Sequence, residues 1–139
     1  ALQDVVRRMN LPPVVDRQFL LSVLLAREAA ASTGIGDGIA FPHVRNPIVL
    51  QVKRTMITLS FLEKPIEFGS VDGKPVYALF TLVCPTVRIH LHLLARLAFA
   101  LRNLKFKAAV ERRAAAQDIL SLSREIDTQV QKTSDNRVR

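Results

Sequence analysis

The pattern of apolar and polar residues in the first part of the chain predicts a helix, a loop and a short strand. From Val14 to Ala31 the apolar residues recur at helical spacing, and Asp16 is placed to favour the helix start. The segment Ser32–Gly38 has the composition of an irregular loop, and Gly38–Phe41 is short and apolar enough for a strand. His43 is therefore predicted just past a strand end. The apolar positions of the helix are Val15, Phe19, Leu20, Val23 and Leu24.

The middle of the chain has two further strand patterns separated by a turn. Between Arg54 and Leu62 the residues Ile57, Leu59 and Phe61 alternate with Met56, Thr58 and Ser60, which is the period of a half-buried strand. Asp72–Pro75 predicts a turn. Val76–Cys84 is nearly all apolar, as expected of a central strand covered on both faces, and Pro85 ends it.

The last third of the chain is predicted to be helical. Helical patterns cover Arg88–Asn103, a segment from about Phe106 to Ala116, and a segment around Asp118–Val130. The polar residues 131–139 are expected to form a disordered tail. Helices that alternate with short strands predict an α/β or α+β fold, a single layered domain over residues 1–130 with a mixed sheet of about five strands flanked by helices.

Composition favours a soluble protein of the cytoplasm. With 139 residues and 49% hydrophobic content, the chain can bury a core without disulfides. The lone Cys84 cannot form an internal disulfide and is interpreted as a small buried residue in a reducing compartment. The chain has no apolar run that approaches the length of a membrane span and no signal-peptide pattern. It begins at Ala1 without methionine, which is consistent with a domain cut from a longer polypeptide.

The net charge of +8 leaves two interpretations open. Basic residues are spread along the chain with few aromatic residues among them, which favours solvated helix faces over a nucleic-acid surface. The alternative is an acidic partner or an attached nucleic-acid-binding region.

The candidate chemistry centres on the glycine-rich run that leads through Pro42 to His43. Imidazole suits reversible nucleophilic and proton chemistry near neutral pH, and a glycine-rich approach, here from Gly34 onward, lets a bulky anion lie against backbone N–H groups. Arg27 could supply a positive charge beside it, and Ser32 and Thr33 could add hydroxyl donors. Together these residues predict a phosphorylatable histidine.

A second candidate lies on the predicted helix 88–103. At about 100° per residue, His90 shares a face with Leu94, Leu97 and Leu101, whereas His92 falls on the opposite face. His90 is therefore expected at the packed interior or its edge, and His92 in solvent. If His90 lies near His43, it could donate a hydrogen bond to a phosphoryl group there.

Two other kinds of site receive little support. The glycines match neither the dinucleotide-binding pattern nor a P-loop, and the chain has no histidine or cysteine spacing typical of a metal site. No cofactor and no metal are predicted.

At these residues the chain resembles the EIIA domains of the fructose/mannitol type, including the nitrogen-regulatory branch, of the bacterial phosphoenolpyruvate-dependent phosphotransferase system. Several ordered motifs carry the resemblance, which covers nearly the whole chain. They are Arg27-Glu28, the run from Ser32 to His43, Lys64-Pro65-Ile66 with Phe68, Asp72-Gly73-Lys74-Pro75-Val76, and His90-Leu91-x-Leu93-Leu94.

The resemblance implies a role for each candidate. His43 is expected to accept a phosphoryl group from the phosphohistidine of the carrier protein HPr and to pass it to an EIIB domain. His90 matches the histidine that stabilises this phosphoryl group, and Arg27 matches the arginine of the anion site, where Ser32, Thr33 and Gly34 are also predicted to bind phosphate. The fold needs no metal or nucleotide for this transfer.

The sequence departs from the family pattern in places. Phe41 replaces a small aliphatic residue before Pro-His, and the stretch Val44–Pro47 diverges. The basic charge is unlike that of a typical partner of HPr, whose docking surface carries basic residues. An alternative is therefore a regulatory module that senses phosphorylation and acts through a partner protein or an attached DNA-binding domain.

Overall fold

The computed structural model describes residues 1–138 and has a mixed α/β fold. One four-stranded mixed sheet is accompanied by five α-helices in this part of the chain, which confirms the predicted fold class with four strands instead of about five. The chain forms two compact units of residues that contact one another; the first ends at His92 and the second begins at Leu93. The elements are α1 Leu2–Arg8, α2 Arg17–Ala30, β1 Gly34–Gly36, β2 Ile39–Ala40, a 3-10 turn Pro47–Leu50, β3 Met56–Ile66, β4 Val76–Val83, α3 Val87–Ala100, α4 Leu104–Glu111 and α5 Ala116–Val138.

The strands follow the order β1-β2-β4-β3 across the sheet. β2 and β4 run parallel, while β1 is antiparallel to β2 and β3 is antiparallel to β4. His43 extends the parallel pairing by one isolated bridge to Leu82. His43 therefore lies at the carboxyl end of a pair of parallel strands, where α/β folds collect ligand groups.

β4 is the central strand that the apolar run predicted. All of its residues except Tyr77 are buried, and Cys84 directly after it is 1% exposed. Burial raises the pKa of the Cys84 thiol, which fits its interpretation as a core residue. β4 is buried because it has a neighbour on each side and both of its faces are covered.

β3 confirms the predicted strand, and its apolar residues lie on both faces. Ile57 is exposed, whereas Met56 and Leu62 pack against the core of the first unit. β3 lies at the edge of the sheet, and most of its residues are half-buried. Because both faces are partly covered, the alternation of apolar residues did not identify the core side.

The segment 32–38 was predicted as an irregular loop, and that prediction was wrong for β1. Gly34 pairs with Ala40 and Gly36 with Ile39, so the segment forms a tight hairpin with β2. Gly36 has φ +103°, which L side chains rarely adopt. A Cβ added at Gly34 would lie 2.1 Å from the Ser70 Oγ, so this glycine serves a close contact between two chain segments.

The helix α2 follows the prediction closely. The Asp16 side chain accepts a hydrogen bond from the Phe19 N–H at 2.9 Å and caps the helix. Leu20 and Leu24 are fully buried in the core of the first unit. The helix ends at Ala30 because Ala31 is extended, which turns the chain toward β1.

The last helix is longer than predicted. α5 runs to Val138, so residues 131–138 are helical, where a disordered tail was expected from 131 onward; Arg139 lies outside the described residues. No glycine or proline follows Val130 to stop the helix. Between residues 1 and 138, no helix is both long and apolar enough to cross a membrane.

Candidate functional site

The chain around His43 is held by backbone hydrogen bonds on both sides. The Phe41 N–H donates to the Thr33 carbonyl at 3.0 Å, and the Leu82 N–H donates to the Pro42 carbonyl at 2.9 Å. The Phe41 ring is buried and meets the Phe80 ring edge to face, with centroids 5.7 Å apart. His43 itself is half-buried, so it is fixed at its backbone and open at its tip.

The hydrogen bond of His43 decides which of its ring nitrogens is free. Nδ1 lies 2.7 Å from the Phe41 carbonyl oxygen. A carbonyl oxygen can only accept, so Nδ1 carries the proton of the neutral ring. Nε2 then keeps its lone pair and is the atom that a neutral imidazole can use as a nucleophile.

His90 meets this ring from α3. The two ring centroids are 4.6 Å apart, with the planes tilted by 39°. His90 is 5% exposed, whereas His92 on the opposite face of α3 is exposed. The structure thus brings together the two histidines that the sequence selected and excludes the third.

Both imidazoles at the site have lowered pKa values. Burial lowers the pKa of His43, with a further lowering by Arg27, while the Phe41 carbonyl and Glu28 oppose this shift. Burial lowers the pKa of His90 to about 4, and the nearby His43 and Arg27 add to the effect. Both rings are therefore neutral at pH 7.

Arg27 is the positive charge of the site. It lies half-buried in the last turn of α2, and its Nη1 donates to the Ala31 carbonyl at 2.6 Å. A guanidinium has five N–H donors, so this bond leaves others for an anion. Its positive charge helps to lower the pKa values of both His43 and His90.

The three other predicted phosphate-binding residues have partners within the protein. The Ser32 hydroxyl donates to the Phe68 carbonyl and accepts from the Gly34 N–H, and the Thr33 hydroxyl donates to the Glu28 carboxylate at 2.6 Å. The donors that were expected to face a phosphate are thus engaged elsewhere in this conformation. Their part in phosphate binding stays a prediction.

Glu28 contributes to the site, although the sequence predicted no role for it. Its carboxylate accepts from the backbone N–H and the hydroxyl of Thr33, and its charge acts on the pKa of His43. Its position beside Arg27 in the motif was the only available signal. The contact depends on the reversal of the chain after α2, which no residue pattern indicated.

The chain is similar to known proteins over most of its length. Residues 1–125 match the family model "Phosphoenolpyruvate-dependent sugar phosphotransferase system, EIIA 2". The chain is 36% identical over 113 residues to the nitrogen regulatory protein of Escherichia coli, and the match covers 80% of this chain and 64% of that protein. It is 30% identical over 113 residues to the fructose-specific EIIA component of Haloferax volcanii, with 78% of this chain and 71% of that protein covered.

A solved structure shows the same fold. The nitrogen regulatory protein IIA-Ntr of Neisseria meningitidis superposes with a TM-score of 0.71 at 26% identity, covering 88% of this chain and 83% of that one. The chain spans less than two thirds of the length of the E. coli relative. With a family model that matches nearly the whole chain, a matching fold and two histidines in contact, the chain belongs to the EIIA type 2 family of the phosphoenolpyruvate-dependent sugar phosphotransferase system.

Proposed function

We propose that His43 is a phosphohistidine carrier: its Nε2 accepts a phosphoryl group from phospho-HPr and passes it to an EIIB domain. The observation that carries this proposal is the hydrogen bond from Nδ1 to the Phe41 carbonyl, which leaves Nε2 unprotonated beside a buried, neutral His90. The family match over residues 1–125 supports assigning this function to a domain of residues 1–130.

The transfer needs no proton to leave the nucleophile. The bond from phosphorus to the donor histidine breaks as the bond to the His43 Nε2 forms, and the donor leaves as a neutral imidazole. Because Nδ1 keeps its proton and its bond to Phe41, the phosphorylated ring carries a positive charge shared over both nitrogens. Catalysis of such a step is mainly the positioning of two rings in line and the stabilisation of charge on the phosphoryl oxygens.

Arg27 and His90 supply that stabilisation in the proposal. The Arg27 guanidinium offers positive charge and spare N–H donors, and the neutral His90 offers one ring N–H. Since the pKa of His90 is about 4, it stays neutral at pH 7 and adds no charge that would repel an incoming donor cation. Ser32, Thr33 and Gly34 would contribute only after a change in their present hydrogen bonds.

The test is phosphoryl transfer from phosphoenolpyruvate through enzyme I and HPr of the source organism. We expect a mass increase of one phosphate that is acid-labile and absent in His43→Gln. His92→Gln is the matched control, because His92 is exposed on the other face of α3 and should leave incorporation unchanged. Incorporation that persists in His43→Gln, or no incorporation into the folded wild-type protein, would contradict the proposal.

A second candidate uses the same phosphorylation as a signal. The nitrogen regulatory protein of E. coli is among the relatives, and its name supports a regulatory output. In this second proposal the output is binding to a protein partner. The two candidates separate when the phosphorylated protein is mixed with an EIIB domain from the same organism. Loss of the phosphate to EIIB supports the carrier, whereas a retained phosphate together with partner binding that differs between the two states supports the regulator.

A further inference from the structure

A continuous series of hydrogen bonds leads from Glu28 to the imidazole of His43. The Glu28 carboxylate accepts from the Thr33 N–H at 2.8 Å and from the Thr33 hydroxyl at 2.6 Å. The Thr33 carbonyl accepts from the Phe41 N–H at 3.0 Å, and the Phe41 carbonyl accepts from the His43 Nδ1 at 2.7 Å. Each residue in this series holds the next one.

The middle of this series is shielded from water. Thr33 and Phe41 are each 5% exposed, and the Phe41 ring is held against Phe80. Water therefore cannot easily replace a lost bond within the series, and an unpaired buried group there would be costly. A displacement of Thr33 would move the Phe41 carbonyl, which decides where the His43 proton lies.

A carboxylate is the side chain best suited to pair with Thr33. Thr33 presents two donors, its backbone N–H and its hydroxyl, and Glu28 answers with two acceptor oxygens. Glutamine can keep this pairing only if its amide donates to the hydroxyl oxygen of Thr33. Alanine removes both bonds.

We propose that Glu28 is a positioning residue for His43: by holding Thr33, and through it Phe41, it keeps the proton of His43 on Nδ1 and makes Nε2 the nucleophile. The effect on phosphoryl transfer rests on the proposed function, whereas the effect on the histidine tautomer does not. Glu28 touches neither the ring nor the phosphoryl group in this proposal.

The charge of Glu28 gives the proposal a second, separable observable. The charged and titratable groups around His43 are Arg27 and Glu28 on α2 and His90 on α3, and among them Glu28 raises the pKa of His43. Removal of the charge without removal of the hydrogen bonds, in Glu28→Gln, should lower the pKa of His43 while the tautomer persists. Removal of both, in Glu28→Ala, should change the tautomer as well.

The tautomer is read from two-bond proton–nitrogen NMR spectra of the unphosphorylated protein labelled with ¹⁵N-histidine. We expect the wild type and Glu28→Gln to carry the proton on Nδ1, Glu28→Ala to show both tautomers, and Thr33→Val, which keeps only the backbone bond, to fall between. Glu63→Ala, which removes an exposed carboxylate on β3, is the control and should match the wild type.

Phosphoryl transfer from phospho-HPr provides the second measurement. We expect Glu28→Ala to transfer the phosphoryl group at least about tenfold more slowly than the wild type, and Glu28→Gln to keep most of the rate. A misplaced nucleophile slows the reaction far more than the loss of one neighbouring charge does. A wild-type tautomer in Glu28→Ala, or in Thr33→Val should the alanine variant not fold, overturns the proposal. If no variant, nor the wild type, accepts phosphate, the proposed function fails while the tautomer result still decides the role of Glu28.

Discussion

His43 and His90 reach the same point from two kinds of structure. His43 lies on the chain that leaves β2, and hydrogen bonds of the backbone hold its ring through Nδ1. His90 lies in the first turns of α3, where its buried ring contacts the ring of His43. One ring is fixed by specific partners, and the other by the direction of a helix face and by burial.

The difference between them corresponds to the difference in their proposed roles. A nucleophile needs a defined tautomer, because attack through the wrong nitrogen would place the phosphoryl group elsewhere. A donor that stabilises the product needs only a ring N–H that is directed at the phosphoryl group. The backbone hydrogen bond at His43 and the burial of His90 on a helix face fit these two proposed roles.

The largest expected effect on phosphoryl transfer comes from removing the ring of His90, which α3 brings to the site. His90→Ala should keep the fold and slow phosphoryl transfer by roughly 100-fold or more, the cost typical of losing one donor to developing charge. Quenched-flow transfer from phospho-HPr measures the rate, and circular dichroism checks the fold. Equal rates in the wild type and the variant would contradict the role of His90, and His92→Ala serves as the control on the same helix.

The next largest expected effect is a fall in the free energy of unfolding as the pH is lowered. The pKa of His90 is about 4 in the folded protein and near 6.5 when unfolded, so between these values the unfolded chain binds the proton more readily. The stabilisation from the neutral ring is present above pH 6.5 and is lost as the pH falls toward 4, by about 2–3 kcal/mol.

Urea unfolding at pH 7 and pH 4.5 measures this loss. His90→Gln should show a smaller fall in the free energy of unfolding than the wild type. A residual fall is expected, because burial lowers the pKa of His43 in the same direction. His92→Gln should behave like the wild type. An identical pH dependence in all three proteins would show that the buried ring of His90 does not carry the effect.

The two sides of the site also differ in how far the sequence predicted them. The orientation of His90 follows from 100° per residue along one helix, so the apolar pattern was enough. Asp16 could be identified as a cap for the same reason, since its partner is only three residues away. Local geometry with a regular period can be read from a sequence.

The support of His43 could not be predicted in the same way. Glu28 meets Thr33 only because the chain reverses after α2, and Phe41 meets Phe80 only because β2 and β4 are neighbours in the sheet. The glycines were interpreted as an approach for an anion, whereas two of them serve a hairpin and a close contact with Ser70. Such contacts depend on tertiary structure, and no pattern along the chain encodes them.

The smallest expected effect tests whether the support of His43 depends on the close contact between Gly34 and Ser70. Gly34→Ala should lower the free energy of unfolding by about 1–3 kcal/mol, because its Cβ would lie 2.1 Å from the Ser70 Oγ and would force the two segments apart. Gly73→Ala is the control: a Cβ there meets nothing within 4 Å, so only its φ of +71° is unfavourable. Gly34 also joins Thr33, so the tautomer of His43 should become mixed in Gly34→Ala and stay on Nδ1 in Gly73→Ala. If both variants lose the same stability and keep the same tautomer, the contact between Gly34 and Ser70 does not help to position His43.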